Sequence, residues 1–452
     1  MCKRSFGAVA AAISLIANSA LGSVVPRIVN GSSTDGYPAV AMIAFYSDAA
    51  HSELVGFCSG SLVGCRTVVT AAHCVCPEDA NTYQDCWNQG ITYPMFISVF
   101  LPHVGVLGVE SVSVHPNYRF GAGYDVSVLQ LAEPADGVPP LELAATKPSA
   151  GSAGRVVGYG VTRSGFRAPD DTGIKREGPV VFGPCPRDVP GDLHVCWTFT
   201  GTGSNTCAGD SGGAVLATEG NAERLAGVVS GGSTADCQAP DESFATAAPL
   251  IRGWIQTMAS DVGVACGATG LLGDGRTLTR TYSVSLDSRS PEFQEQIDLP
   301  TGAAELRVTF NGQTGSESDF FNTDNDFDLF VGHGAGSTTQ WVCSDERREN
   351  WGACRVQRPQ AGTWTVSLRR IAGAGPAQLT VTVFRSPAQC PNDCNGDGAV
   401  DVSEIVTAVN ILLGALPVES CRTADGDGNG EVTVDEVIQG VNAALNGCSP
   451  SS

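Results

Sequence analysis

The stretch Cys207-Ala208-Gly209-Asp210-Ser211-Gly212-Gly213 decides how the rest of the chain is read. It sets a serine hydroxyl on a glycine-rich turn, where backbone N–H groups can point at a developing oxyanion and a substrate can approach the backbone closely. Such a string also occurs as an ordinary tight turn, so its meaning rests on its company. Val68-Val69-Thr70-Ala71-Ala72-His73-Cys74 supplies an imidazole, and Tyr124-Asp125-Val126-Ser127-Val128-Leu129 supplies a carboxylate entering an apolar strand. A serine hydroxyl is a poor nucleophile at neutral pH and needs a base within hydrogen-bond reach, itself oriented by a third group. The three stretches hold those three groups.

A chain of 452 residues exceeds one ordinary core, and we read three domains. Residues 1–22 carry Lys3 and Arg4, an apolar run from Phe6 to Ile16 and the small residues Ala20-Leu21-Gly22. That pattern is a secretory signal peptide, too short to span a membrane, and no later run reaches spanning length. Of the 17 cysteines, Cys2 leaves with the leader, and the even remainder fits disulfides formed in an oxidising compartment. Cysteine and histidine are not clustered at zinc spacing. The net charge of -21 argues against binding nucleic acid and, with acidic loops near the C-terminus, favours cation binding. It also keeps a secreted protein soluble.

From Tyr37 to Trp254 short β-rich runs (39–45, 60–63, 96–100, 126–131, 155–160, 214–216 and 225–229) are separated by Gly, Pro and Asp. The spacing predicts a barrel or sandwich rather than alternating βαβ units. A helix is expected over 249–258, with Leu250, Ile251, Trp254, Ile255 and Met258 on one stripe.

Histidine, aspartate and serine in this order mark one lineage of serine proteases, and the three stretches resemble the chymotrypsin/trypsin family. The resemblance implies a protease domain over 28–266, built as two six-stranded barrels, with His73 and Asp125 from the first and Ser211 from the second. It implies that His73 acts as general base, that Asp125 orients it, and that the N–H groups of Gly209 and Ser211 form the oxyanion hole. Ser230-Gly231-Gly232 becomes the strand edge that pairs with substrate, Gly232 leaving the pocket mouth open. His115 falls in a surface loop. The pairs Cys58–Cys74, Cys185–Cys196 and Cys207–Cys237 match family bridges. Cys65, Cys76, Cys86 and Cys266 are additional; we pair Cys76 with Cys86 and Cys65 with Cys266, although connectivity is not readable from sequence. Arg27-Ile28-Val29-Asn30-Gly31 resembles the family's activation cut, which makes 23–27 a propeptide. A new α-amino group at Ile28 would then pair with the buried carboxylate of Asp210.

The pocket departs from trypsin. Six residues before Ser211, where trypsin carries an aspartate, this chain has Asn205. In Asp241-Glu242-Ser243-Phe244 the family alignment puts Glu242 at a pocket-lining glycine, so a Lys or Arg preference carried by Glu242 is expected.

A glycine-rich linker over 267–275 leads to a second β pattern over 276–385, whose runs 306–310, 327–331, 363–368 and 379–384 alternate in and out. Together with Pro359-Gln360-Ala361-Gly362-Thr363-Trp364 it resembles the bacterial pre-peptidase C-terminal domain, a small β-sandwich; Cys343 and Cys354 close a loop within it. Residues 390–448 contain two similar loops. Asp393, Asn395, Asp397, Ala399, Asp401 and Glu404 stand at positions one, three, five, seven, nine and twelve of the first; Asp425, Asp427, Asn429, Glu431, Thr433 and Glu436 do so in the second. This is calcium-loop spacing, with Ca2+ in a structural role. Each loop leads into one apolar-striped helix, 405–413 and 437–445, without a helix before it. That resembles a dockerin module, with Cys390, Cys394, Cys421 and Cys448 suggesting two local disulfides and a cohesin-like or surface partner.

The expected fold is therefore mostly β: a two-barrel protease domain, a small sandwich and a small α-helical calcium-loop module. The expected function is a secreted serine endopeptidase, made as a zymogen, acting on proteins or peptides after cleavage by an activating protease. Two other readings use the same residues: an inactive protease-like binding protein, and a surface-anchored assembly component dominated by its C-terminal modules.

Overall fold

The computed structural model describes residues 28–77, 79–162, 171–267, 270–274, 277–300, 302–315, 325–385, 390–395, 399–426 and 430–447. The leader, the propeptide with Arg27, and Asp397, Asp427, Asn429 and Cys448 lie outside them.

The first barrel closes in the order Val40–Tyr46, Leu54–Leu62, Thr67–Thr70, Ser127–Leu131, Gly105–Val114, Ile97–Leu101. Its strands put successive side chains on opposite faces, and each face has its own core. Ala41, Ile43, Val99, Leu107 and Leu129 fill the barrel. The alternate residues Val40, Met42, Phe100 and Val128 turn outward and meet Val157, Leu216 and Val228 of the second barrel. Being covered on both sides, Val40–Tyr46 is apolar throughout instead of alternating.

The second barrel runs Ala153–Gly158, Arg176–Gly183, His194–Phe199, Asp241–Ala247, Ala222–Gly231, Ala214–Glu219, and closes through the pairing of its first and last strands. Val156, Val180, Trp197, Val215 and Ala245 fill it. Five barrel strands were not expected from the sequence: 67–70, 105–114, 176–183, 194–199 and 241–247. Arg176–Gly183 shows why, since its Arg, Glu, Pro and two Gly are poor strand formers that neighbouring strands hold in place.

The C-terminal helix of the protease domain spans Ala248–Met258. Its stripe is narrower than expected. Ile251 and Ile255 are buried between the barrels, each worth about 2 kcal/mol of apolar transfer, whereas Leu250 and Met258 are 37% and 41% exposed. Among the described residues no helix is long and apolar enough to cross a membrane.

The disulfides Cys58–Cys74, Cys65–Cys266, Cys76–Cys86, Cys185–Cys196, Cys207–Cys237 and Cys343–Cys354 form as expected, and Cys394 joins Cys421. Cys390 is also disulfide-bonded.

The sandwich packs two four-stranded sheets over Leu306, Val308, Phe310, Leu329, Val331, Val366, Leu379 and Val381. The alternation expected of its strands is present, but the polar face is not solvated. Glu305, Arg307, Thr309, Asn311, Gln378 and Thr382 are buried against the protease domain. The Asn311 amide donates to Gly173 O at 2.8 Å, the Gln378 amide donates to Thr34 O at 3.0 Å, and Thr309 donates to Pro102 O. Arg307 reaches Asp136 and its own strand's Glu305. Buried polar groups are tolerated where each finds a partner; Glu305 holds Arg307 and Arg355 within the sandwich, and the others find a partner across the domain boundary. The C-terminal segment contributes the helices Val402–Leu412 and Val434–Asn446.

Candidate active site

His73 sits in the short helix Ala72–Val75, directly after the strand Thr67–Thr70 and pinned by the Cys58–Cys74 bridge. Asp125 precedes the strand Ser127–Leu131 and is fully buried. Its Oδ2 lies 2.7 Å from His73 Nδ1, and its Oδ1 accepts the His73 backbone N–H at 3.0 Å. The second barrel completes the arrangement: Ser230 Oγ donates to Asp125 Oδ2 at 2.6 Å, and Thr246 Oγ1 donates to Asp125 O at 3.1 Å. Ser230, expected at the substrate-pairing edge, thus anchors the orienting carboxylate. Just before Asp125, Tyr124 is held at φ 58°, a strained backbone for an aromatic residue. His115 stacks on its ring at 4.6 Å and lies 4.7 Å from Trp254. His115 is therefore buried, not at the surface, because it fills the space between this loop and the C-terminal helix.

Burial pushes the Asp125 carboxyl up, but the His73 charge and the hydrogen bonds from His73 and Ser230 outweigh it and hold the group below its ordinary value. Burial pushes His73 down, yet the charge and hydrogen bond of Asp125 bring it above the usual histidine range.

Ser211 and Gly209 line the same cleft as His73. Among the described residues no hydrogen bond joins the Ser211 hydroxyl to the ring, a contact that commonly tightens only with substrate present. The turn itself is fixed. Ser59 N–H donates to Ser211 O at 2.8 Å, and Ser59 Oγ donates to Gly209 O at 2.9 Å. Ala208 O accepts from Val161 N–H at 2.9 Å, so across the trans peptide the Gly209 N–H points the opposite way. Among the described residues neither the Gly209 nor the Ser211 N–H is taken by another backbone carbonyl. Gly212 has φ 80°, and a Cβ there would run into Thr70 Oγ1 and Ser59 O, so only glycine fits.

Asp210 points inward. Its Oδ1 accepts Gly160 N–H and its Oδ2 accepts Cys207 N–H, both at 2.9 Å. Burial pushes this carboxyl up to about 7. Ile28 is buried in the second barrel's core at φ 45°, a strained angle for a β-branched residue, and Val29 O accepts Asn205 N–H at 3.0 Å.

Asn205 is wholly buried, holding Trp197 Nε1 and Ser243 Oγ on its oxygen and donating to Asp241 Oδ2 at 2.7 Å. The expectation for Glu242 is corrected. Strand residues alternate, and in Asp241–Ala247 it is Glu242 that faces solvent while Asp241 turns inward. Ser233 and Thr234 N–H also donate to Asp241, at 2.8 and 3.0 Å, and a Cβ on Gly232 would meet its Oδ2 at 2.8 Å. Asp241 was missed because the family resemblance was anchored on Phe244, which put Glu242 at the pocket position.

The cleft encloses about 900 Å³ and is walled by Phe45, Tyr46, Phe57, Tyr93, Phe96 and Phe120. The Phe120 ring stands edge-on to His73 at 5.4 Å.

In the C-terminal loops, Glu404 Oε1 accepts the N–H groups of Cys394 and Asn395 at 2.9 and 3.0 Å, and Glu436 Oε1 accepts Gly426 N–H at 2.8 Å. Asp401 and Thr433 cap the following helices in capping boxes with Glu404 and Glu436. Asp393 is buried, Asn395, Ala399 and Glu431 are exposed, and Asp425 Oδ2 accepts Gly430 N–H at 2.8 Å. Among the described residues no group of three or more His, Cys, Asp or Glu is arranged to hold a metal; Asp397, Asp427 and Asn429 are not among them.

Comparison with known proteins agrees with this geometry. Residues 28–255 match the trypsin family, and residues 296–370 match the bacterial pre-peptidase C-terminal domain. The chain is 33% identical to a trypsin of Saccharopolyspora erythraea over 188 residues, 39% of this chain and 75% of the relative. It is 29% identical to trypsin-1 of Astacus astacus over 39% of this chain and 77% of the relative. It is also 29% identical to phenoloxidase-activating factor 3 of Holotrichia diomphalia, over 46% of this chain and 65% of the relative. A family match over half of the chain, on two barrels with an imidazole, a carboxylate and a serine turn where they meet, identifies the chain as a member of the trypsin family of serine endopeptidases.

Proposed function

We propose that the chain is a secreted endopeptidase in which Ser211, His73 and Asp125 form the catalytic triad. The observation that carries this is the buried Asp125 carboxylate clamped between His73 Nδ1 and Ser230, with Ser211 and Gly209 in the same cleft. His73 Nε2 takes the Ser211 proton as the oxygen attacks the scissile carbonyl. The Gly209 and Ser211 N–H groups receive the oxyanion, each worth on the order of 3 kcal/mol, and His73 returns the proton to the leaving amine. Water then repeats the sequence on the acyl-enzyme. A fluorophosphonate probe should label the processed wild type and not Ser211→Ala; an unlabelled wild type would favour the binding-protein reading.

The bridges between described cysteines support an oxidising, extracytoplasmic setting. Activation by a separate protease after Arg27 fits the burial of Ile28 and the inward-facing Asp210 carboxyl. N-terminal sequencing of the secreted protein tests it, Ile28 being the expected first residue. A Lys or Arg preference on the acyl side of the bond is part of the same reading, with Asp241 as its carrier. This carboxylate is buried beside Gly232 and, among the described residues, has no Lys or Arg partner.

The C-terminal loops are proposed as structural calcium sites. Glu404 and Glu436 are buried carboxylates folded over their own loops, as a twelfth-position ligand requires.

A further inference from the structure

The appended sandwich reaches the back of the catalytic cleft. Trp351, 1% exposed, begins the strand Trp351–Gln357, yet its ring belongs to the apolar cluster between the two barrels and not to the sandwich core. It stands edge-on to Phe57, with centroids 5.3 Å apart and planes at 78°. Two residues earlier, Glu349 accepts the Tyr46 hydroxyl at 2.5 Å and lies 3.5 Å from Arg347. Tyr46 in turn stacks flat on His51 at 3.9 Å. Tyr46 and Phe57 are walls of the cleft that contains His73 and Ser211. Two sandwich side chains therefore stand directly behind two cleft walls.

The cleft's lining fits one part of a substrate. It includes Phe57, Cys58 and Cys74 but not Ser230, Gly231 or Gly232, the strand edge expected to pair with substrate. If that edge takes the acyl side, the space beside Ser211 is left for the leaving-group side of the substrate. Its walls are mainly aromatic and aliphatic, with Val55 and Ile91 beside the rings and Asn81, Gln89 and Thr92 as polar members, and a mainly apolar surface takes up a large apolar side chain. Close-packed aromatic contacts hold a wall in one shape, and a displacement of about 1 Å in a substrate-positioning group is costly.

We propose that Glu349 and Trp351 are positioning residues of the endopeptidase, holding Tyr46 and Phe57 so that the cleft selects substrates with a bulky apolar residue immediately after the scissile bond. The inference rests on the triad reading. It makes the sandwich a working part of the enzyme, since without it the hydroxyl of Tyr46 and the ring of Phe57 lose their backing. Trp351 Nε1 has no hydrogen-bond partner among the described residues, so the indole acts through its shape and phenylalanine is a mild replacement.

The test uses the processed full chain as wild type, Glu349→Gln and Trp351→Phe. One substrate is a small ester with nothing beyond the leaving alcohol; the others are quenched peptides differing only in Leu or Gly after the cut. Wild type should prefer Leu at least tenfold in kcat/KM. Both variants should lose threefold or more of that ratio, chiefly through KM, with ester turnover within twofold of wild type. No Leu preference in wild type, an unchanged ratio in both variants, or an equal loss on ester and peptides would overturn the proposal. Absent ester turnover together with absent probe labelling of wild type would instead sink the triad reading, and this inference with it.

Discussion

The side-chain amide of Asn205 donates to Asp241 Oδ2 at 2.7 Å, linking the residue six positions before the nucleophile to a buried carboxylate at the start of the strand Asp241–Ala247. Polar N–H and O–H donors surround that carboxylate, and a cationic substrate side chain would add the charge they lack. Replacing Asp241 with Asn should lower kcat/KM for Arg- and Lys-ended substrates by about 10- to 100-fold, a loss of roughly 1.4–3 kcal/mol, and leave Ala-ended ones nearly unchanged. Glu242→Gln should change neither. Equal losses on all substrates from Asp241→Asn would remove it from specificity.

Asp125 sets both the tautomer and the charge of His73. Asp125→Asn should reduce kcat by about 10⁴-fold. The base works as neutral imidazole, so activity rises with pH through the His73 titration. Because Asp125 holds that titration above the ordinary 6.5, the acid limb of wild type should lie above 6.5, and in Ser230→Ala, where Asp125 loses a donor, kcat should fall about tenfold. A pH–rate profile for kcat/KM checks the limb.

Asp210 gives the unprocessed chain a pH-dependent weakness. Its folded value of about 7 exceeds the 3.8 of an exposed aspartate, so the folded state binds the extra proton and stability falls as pH rises from about 4 to about 7. The full effect is of order 4 kcal/mol. Urea midpoints of unprocessed Ser211→Ala should drop between pH 5 and pH 8. The drop should shrink in Asp210→Asn, and in the chain cut after Arg27, where the Ile28 amine supplies a counter-charge.

His103 reports on sandwich docking. Burial, with Lys175 and Arg307 adding to it, pushes His103 down to about 3, and its Nδ1 bonds Thr382 Oγ1 at 2.9 Å across the interface. A histidine depressed in the folded state loses stability as pH falls from about 6.5 towards 3. The calorimetric Tm should fall more between pH 7 and pH 4 in wild type than in His103→Gln. A parallel fall in both would discount the residue.

Calcium should raise the Tm of the C-terminal segment and bind with a measurable heat in the full chain. Glu404→Gln combined with Glu436→Gln should abolish the heat, since the twelfth-position carboxylate dominates such loops. Unchanged heats would place any bound calcium elsewhere.

Much of this protein is legible in one dimension. The serine turn, the Ala71-Ala72-His73-Cys74 stretch and Asp125 are local strings whose residue types follow from the chemistry, and they predict the cleft they share. The four apolar runs of the sandwich were readable because each depends on a period within the chain, and the family resemblance carried the bridges Cys58–Cys74, Cys185–Cys196 and Cys207–Cys237. Strands such as Arg176–Gly183 were not readable, since their conformation is imposed by neighbours far away in sequence.

The sequence by itself determined the chemistry, namely which groups are present and which turn carries the nucleophile. Only the tertiary structure decided which neighbours those groups meet. The Ser230 hydroxyl grips Asp125, Asp241 rather than Glu242 turned inward, and the polar face of a sandwich strand became an interface instead of a surface. The physical reason is common to all three. Side-chain facing in a strand alternates with a period of two, so one residue of register exchanges buried for exposed, and register is set by partners that no local pattern names.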